Sequence, residues 1–129
     1  MTDPTLPGMP DYHIHLDDKY GHSTLIDIPA EISAAGEEWF NQTLTTVNDA
    51  VVRLGVIEGE FHWHKHVDED EFFLVLDGQL LIDIDGGETV TLDRHQGYTV
   101  PRNVVHRTRA PRRTSILMVE SAGVAPTGD

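Results

Sequence analysis

Short apolar and β-branched runs, separated by turn signals, make up the chain from Leu44 onward. No sustained 3.6-residue period of apolar positions accompanies them, so long helices are not expected. The pattern predicts strands near residues 44–47, 50–57, 60–66, 71–76, 79–84, 88–92, 97–100, 104–109 and 114–120. The chain is therefore expected to be all-β.

Two glycine-containing turns order the middle of this pattern. Asp77-Gly78 separates FFLVL from QLLIDI and predicts a two-residue hairpin, and Asp85-Gly86-Gly87 predicts the next turn. Successive strands joined in this way form an antiparallel meander. Because an open sheet of so many short strands would leave long unpaired edges, closure into a barrel or a double-sheet jelly roll is expected.

The beginning of the chain has a different character. Residues 1–22 are rich in Pro, Gly, Asp and His without a sustained period, which predicts an extended or mobile N-terminal arm outside the core. Residues 23–129 are expected to form a single domain. Within it, residues 29–40 begin with Pro29 and predict a short helix or turn.

The composition limits the possible binding partners and metal ligands of the chain. The 129 residues carry 22 acidic and nine basic side chains, so the net charge of −13 should repel nucleic acid and anionic membranes. Cysteine is absent, so any metal must be held by imidazole and carboxylate groups. No secretory signal or membrane-length apolar run is present in this sequence, and a cytoplasmic location is the default expectation.

The most informative segment is GEFHWHKHVDEDEFFLVLDG, residues 59–78. If residues 60–66 form a strand, His62, His64 and His66 share one face, opposite Phe61, Trp63 and Lys65. Two imidazoles at positions i and i+2 can both reach one metal ion at about 2.1 Å, and Glu71 on the neighbouring strand can add an oxygen ligand.

A second segment, GYTVPRNVVHRT (residues 97–108), supplies another histidine. Pro101-Arg102-Asn103 predicts a turn, and His106 follows on the next strand. A donor set of three histidines and one glutamate is therefore available, from two of His62, His64 and His66 together with Glu71 and His106.

These two segments resemble the two motifs of the cupin superfamily, in the right order and separation. The spacing His64-x-His66-x4-Glu71-x6-Gly78 resembles the first motif, and Pro101-x-Asn103-x2-His106 resembles the second. The chain is most similar to short single-domain cupins, often described loosely as mannose-6-phosphate isomerase-like. The resemblance implies a jelly-roll (double-stranded β-helix) barrel and a metal held by His64, His66, Glu71 and His106. A register using His62-x-His64 with Glu69 is disfavoured, since it puts Leu76 rather than Gly78 at the hairpin.

One divalent transition metal per chain is thus expected, and Fe, Mn, Ni and Zn all suit the donors. The preferred hypothesis is an enzyme acting on a small polar or oxygenated organic molecule, as an oxygenase (a dioxygenase or related oxidoreductase) or as an isomerase or lyase. The alternative is a non-catalytic small-ligand-binding or sensor cupin. Candidate pocket residues are His62, Arg53, if it points inward, and Tyr98.

Two further expectations concern the periphery. His13-x-His15, followed by Asp17 and Asp18, is a second possible metal site, although a solvated arm is favoured there. The resemblance also implies a homodimer, with the arm or the segments near 24–28 and 44–47 as candidate contacts.

Overall fold

The structure, a computed structural model, describes residues 12–128, and most of its regular structure is β-strand. Residues 1–11, the first half of the predicted arm, lie outside the described residues. The elements in chain order are β1 (Tyr12–His15), α1 (Ile28–Ala34), β2 (Trp39–Val47), β3 (Ala50–Glu60), β4 (Glu71–Asp77), β5 (Leu80–Ile84), β6 (Thr89–Leu92), β7 (Gly97–Val100) and β8 (His106–Ser121). The all-β prediction is confirmed.

The described end of the predicted arm belongs to the sheet. Strand β1 pairs in parallel with β2, and Tyr12 and Ile14 are only 2% and 1% exposed. The expectation that the arm stays outside the core is therefore wrong for residues 12–15. The two buried side chains alternate over only four residues, which is too short a stretch to stand out as a period.

The single helix in residues 12–128 begins where Pro29 predicts it. Asp27 caps α1 by accepting a hydrogen bond from the Ala30 amide at 3.1 Å. Ile28 and Ile32 pack against Leu44 and its buried neighbours, so α1 covers the outer face of β2 and β3. The rest of the predicted 29–40 segment instead enters β2 at Trp39. Among the described residues, no helix has the length and apolar character needed to cross a membrane.

The 16-residue strand β8 ties the sheet together. Its first residues pair with β5, and its later residues pair with β3 on one side and β4 on the other. The prediction of two strands, 104–109 and 114–120, is wrong because β8 continues through Pro111. This proline lies between Ala110 and Thr114, where the pairing with β3 is interrupted, so its missing N–H breaks no ladder there.

The turn at Gly78 joins strands that are not hairpin partners. Strand β4 pairs with β7 and β8, and β5 pairs with β6 and β8, so the hairpin predicted at Asp77-Gly78 is not formed in the described part of the chain. Gly78 has φ of +95°, and a Cβ there would collide with Thr114. The hairpin predicted at Asp85-Gly86-Gly87 is present as β5–β6.

One hydrophobic cluster draws side chains from all eight described strands. Its members include Tyr12 of β1, Trp39 of β2, Phe73 of β4, Leu92 of β6 and Val100 of β7. Because strands from both ends of the sheet order contribute to the same cluster, the sheet folds around one interior.

A buried ion cluster fastens β5 to β8. Asp83, which is 7% exposed, accepts hydrogen bonds from Arg109 at 2.7 Å, Arg107 at 2.8 Å and Thr89 at 2.6 Å. The hydrogen bond from Arg109 outweighs the opposing effect of burial and, with those from Thr89 and Arg107, holds the pKa of Asp83 below its ordinary value of 3.8.

We expect Asp83→Asn to lower the free energy of unfolding by about 1–2 kcal/mol at pH 7, since charge-assisted hydrogen bonds at a partly solvated site are lost. A depressed pKa in the folded state means that this stability is present above about pH 4 and is lost as the pH falls through the folded pKa. Urea unfolding of both proteins should therefore show a difference that shrinks between pH 5 and about pH 2. Asp85→Asn, at an exposed turn, is the control. A difference that is constant across this range would contradict the expectation.

Candidate metal centre

Three histidines and one glutamate from separate parts of the chain meet inside the sheet. His64 and His66 lie in residues 61–66, which follow β3, while Glu71 begins β4 and His106 begins β8. The backbone fixes this meeting, because the His64 and His106 amides each donate to the other residue's carbonyl at 2.9 and 2.8 Å. These are the four residues that the sequence analysis predicts as metal ligands.

The local backbone is not the predicted strand. β3 ends at Glu60, after a register shift between Ile57 and Gly59 and a φ of +98° at Gly59. This irregularity breaks strict alternation, so Phe61, predicted to face away from the histidines, is buried and stacks on His62 at 4.4 Å between ring centroids. His64 and His66 nevertheless both reach Glu71.

The distances suit a single ion. One candidate ligand atom from each of His64, His66 and Glu71 lies within 4.8 Å of the other two. Glu71 Oε1 is 3.2 Å from His66 Nε2 and 3.5 Å from His106 Nε2, and the His64 and His106 ring centroids are 4.4 Å apart. Donors that each stand about 2.1 Å from one ion lie about 3–4 Å from one another, and the distances from Glu71 Oε1 to His66 and His106 fall in this range.

Backbone carbonyls orient two of the imidazoles. His64 Nδ1 lies 3.0 Å from the His62 carbonyl oxygen, and His106 Nδ1 lies 2.9 Å from that of Val104. Because a carbonyl oxygen only accepts, each Nδ1 donates its proton and each Nε2 keeps its lone pair. Histidine ligands of metals are commonly held in this way.

The protonation states also favour a cation. Burial, together with the nearby His106, lowers the pKa of His64 to about 4, so its imidazole is neutral at pH 7. Burial opposes ionisation of Glu71, but the side chains of His106 and His66 outweigh it and bring the pKa of Glu71 below its usual value. Neutral imidazole and ionised carboxylate are the forms that bind metal.

A buried arginine pairs with a second carboxyl group, that of Glu120, the register partner of Glu71. Arg53 is 2% exposed, and its Nε is 2.6 Å from Glu120 Oε1 while its Nη1 donates to Thr43 at 2.8 Å. Glu71 and Glu120 are register partners on β4 and β8. Burial and the charge of Glu71 raise the pKa of Glu120 to about 9, so the two carboxyl groups share one negative charge at neutral pH, balanced by Arg53.

A small cavity, partly open to solvent, lies against this cluster. His64 and Glu71 contribute to its lining, as do the polar side chains of Asn41 and Thr108. The rest of the wall is mainly apolar and includes Trp39, Ile57, Phe61, Phe73, Ile116 and Met118. We call this cavity the pocket.

The three predicted pocket residues lie elsewhere. Arg53 points inward but is engaged by Glu120 and Thr43. His62 Nε2 contacts the Thr127 carbonyl at 2.6 Å, and Tyr98 packs against the hydrophobic cluster. The described residues that line the pocket include none of the three, so their role as ligand contacts stays a prediction.

The possible second metal site is not assembled among residues 12–128. His13 and His15 lie on β1 with partly exposed side chains, and His15 packs beside the Phe40 ring at 5.6 Å. Asp17 and Asp18 are exposed. Within the described residues, the cluster with metal-ligand spacing is His64, His66 and Glu71.

Sequence reasoning did not single out the inward-facing polar residues Asn41 and Glu120. Each is at least nine-tenths buried. Strand parity could have found Asn41, because it stands two positions after Trp39 on β2 and so shares its face. Parity also places Glu120 on the face of Ile116 and Met118, but its partner Arg53 is 67 positions away in the sequence, so the pairing itself has no such signal.

Comparison with known proteins identifies relatives of this fold and motif pair. Residues 50–120 match the family model Cupin_2, described as a cupin domain. An uncharacterized protein, YdbB of Bacillus subtilis (strain 168), is 46% identical over 84 residues, which cover 65% of this chain and 74% of that protein.

Solved structures share the same architecture. A cupin-2 domain containing protein from Shewanella frigidimarina is 31% identical, with a TM-score of 0.71, over 75% of this chain and 94% of that chain. Hydroquinone 1,2-dioxygenase from Sphingomonas sp. TTNP3, solved with 4-hydroxybenzoate bound, is 18% identical with a TM-score of 0.69, over 79% of this chain and 33% of that chain. At that identity the second likeness concerns the fold.

Proposed function

Because this chain belongs to the cupin domain family, we propose that it is a metal-dependent enzyme acting on a small oxygen-containing organic molecule. One divalent transition metal, Fe, Mn, Ni or Zn, would be held by His64, His66, Glu71 and His106. The observation that carries the proposal is the convergence of these four side chains beside the pocket.

The donor set has the properties that a metal needs. His106 Nε2 and Glu71 Oε1 are buried 3.5 Å apart, and neither makes a well-formed hydrogen bond with a described residue. Leaving two such atoms unpaired costs about 1–3 kcal/mol each, and a shared cation would satisfy both. Imidazole and carboxylate donors without thiolate suit all four proposed metals.

The metal and the groups of the chain around it would have different roles. When bound, the metal would act as a Lewis acid on a substrate oxygen or, if redox-active, support oxygenase chemistry. The backbone carbonyls of His62 and Val104 orient two imidazoles, and the apolar wall of the pocket would exclude water around a bound molecule.

A non-catalytic ligand-binding or sensor protein is the second candidate. It is favoured by one observation: among the described residues that line the pocket, the side chains of acid or base type are His64 and Glu71, both in the proposed donor set. No additional acid or base stands in the wall to take a proton from a substrate.

A homodimer also stays a proposal. Leu25 and Val47 are 87% and 54% exposed, and each lies in one of the two segments predicted to make subunit contacts. Burial of such side chains against a second copy would be favourable.

Metal content and oxygen uptake together test the two candidates. The protein is purified without added ions, its metals are measured by mass spectrometry, and oxygen consumption is followed with a panel of phenols, hydroxy acids and sugars. About one iron per chain with substrate-dependent oxygen uptake would support the oxygenase. One zinc per chain and no turnover of any panel member would favour the sensor. Protein that holds no divalent metal, even after reloading with each of the four, would overturn the metal-dependent enzyme and leave the ligand-binding protein as the candidate.

A further inference from the structure

The pocket wall differs in character from the donor set beside it. Three aromatic side chains, Trp39, Phe61 and Phe73, line it, and Trp39 and Phe61 stack on each other at 5.3 Å with an interplanar angle of 21°. Gly55 also lines the pocket and leaves that part of the wall without a side chain. Such a surface favours a compact ring, because aromatic faces gain most from flat apolar partners.

The few polar groups limit which rings can bind. Apart from His64 and Glu71, the polar lining side chains in the described residues are Asn41 and Thr108. A molecule with many hydroxyl groups, such as a sugar, would leave most of them buried without partners. A phosphate would also find no Lys or Arg side chain in the described lining, since Arg53 is engaged by Glu120 and lies outside it.

Outside the proposed donor set, one buried side-chain atom of the described pocket lining lacks a hydrogen-bond partner. Asn41 is only 8% exposed, and its Oδ1 accepts no hydrogen bond from any described residue. It lies on the inner face of β2, opposite Gly55 of β3. A buried amide oxygen left unpaired is costly, so a ligand hydroxyl that donates to it would be strongly preferred over a ligand without one.

We propose that the pocket binds a compact ring molecule with an apolar body and a hydroxyl group that hydrogen-bonds to Asn41, a class to which simple phenols belong. This inference rests on the proposed function, because it names the ligand class of the same site. The proposed ligands are a narrower class than small oxygen-containing molecules in general, because they lose little hydration when they enter a mainly apolar pocket.

Phenol and toluene test the proposal, because they differ by a hydroxyl in place of a methyl group. Their dissociation constants are measured by calorimetry with wild-type protein and with Asn41→Leu, both after metal removal by EDTA and after reloading. We expect the phenol-to-toluene preference to fall by about tenfold or more in Asn41→Leu, as expected for one hydrogen bond to a buried group. Gln79→Leu, which removes an amide outside the pocket lining, should leave the preference unchanged.

The outcomes separate this inference from the proposed function. If the protein holds metal but the preference is the same in wild type and Asn41→Leu, the ligand class is wrong and the metal site stands. If no metal binds but the preference falls, the metal-dependent function fails and the ligand class stands. Glucose binding more tightly than phenol would also overturn the inference. Thermal unfolding verifies that Asn41→Leu is folded, and Asn41→Ala provides the second variant.

Discussion

Replacing His106 with alanine is expected to reduce bound divalent metal to a small fraction of the wild-type content. His106 is 1% exposed, and its Nε2 lies 3.5 Å from Glu71 Oε1 at the start of β8. Removal of a supporting residue around a metal typically costs about 10–100-fold in affinity, and loss of a ligand should cost more. Mass spectrometry of protein reloaded with one metal and then desalted measures the effect.

Two further variants make this result specific. His13→Ala removes a partly exposed histidine on β1, outside the four-residue cluster, and should leave metal content unchanged. Glu71→Gln keeps the shape of the side chain while removing its charge, so it should weaken metal binding even if His106→Ala is poorly folded. Full metal retention in both His106→Ala and Glu71→Gln would show that the cluster is not the metal site.

The convergence of the four side chains could be predicted because motif spacing encodes it. Two histidines two positions apart, a glutamate at the next strand and a histidine after a Pro-containing turn were sufficient, even though residues 61–66 are not a regular strand. The wrong strand assignment did not change the predicted ligands, because the His64–His106 backbone pair positions residues 61–66 without a continuous ladder of hydrogen bonds. Composition and periodicity likewise sufficed for the all-β fold.

Other features depend on pairings that a single sequence does not reveal. The two apolar residues of β1 carry too short a pattern to indicate a buried strand, and the Asp77-Gly78 turn gives no sign that both adjoining strands pair with β8. The direction of Arg53 could not be decided because both faces of its strand are apolar. Its partner Glu120 becomes evident only when β3 and β8 are placed side by side.

Replacement of Arg53, which pairs with Glu120, is expected to have the second large effect. Arg53→Met should lower the free energy of unfolding by about 3–5 kcal/mol in metal-free protein. The variant would leave the negative charge shared by Glu71 and Glu120 without its cation in an interior where both are at most 5% exposed. Met retains much of the apolar stem, so the loss reports mainly the charge and its hydrogen bonds. Urea unfolding at pH 7 in the presence of EDTA measures it.

Arg112→Met is the matched control, since Arg112 is exposed on the same sheet and its replacement should change stability by less than about 0.5 kcal/mol. Arg53→Lys distinguishes charge from shape. Lysine keeps the positive charge, but its single ammonium group lacks the planar fork with which Arg53 contacts Glu120 and Thr43 together, so an intermediate loss is expected. If the free energy of unfolding of Arg53→Met is within 1 kcal/mol of the wild-type value, the charge shared by Glu71 and Glu120 does not require Arg53. The two carboxyl groups must then be neutralised by protons.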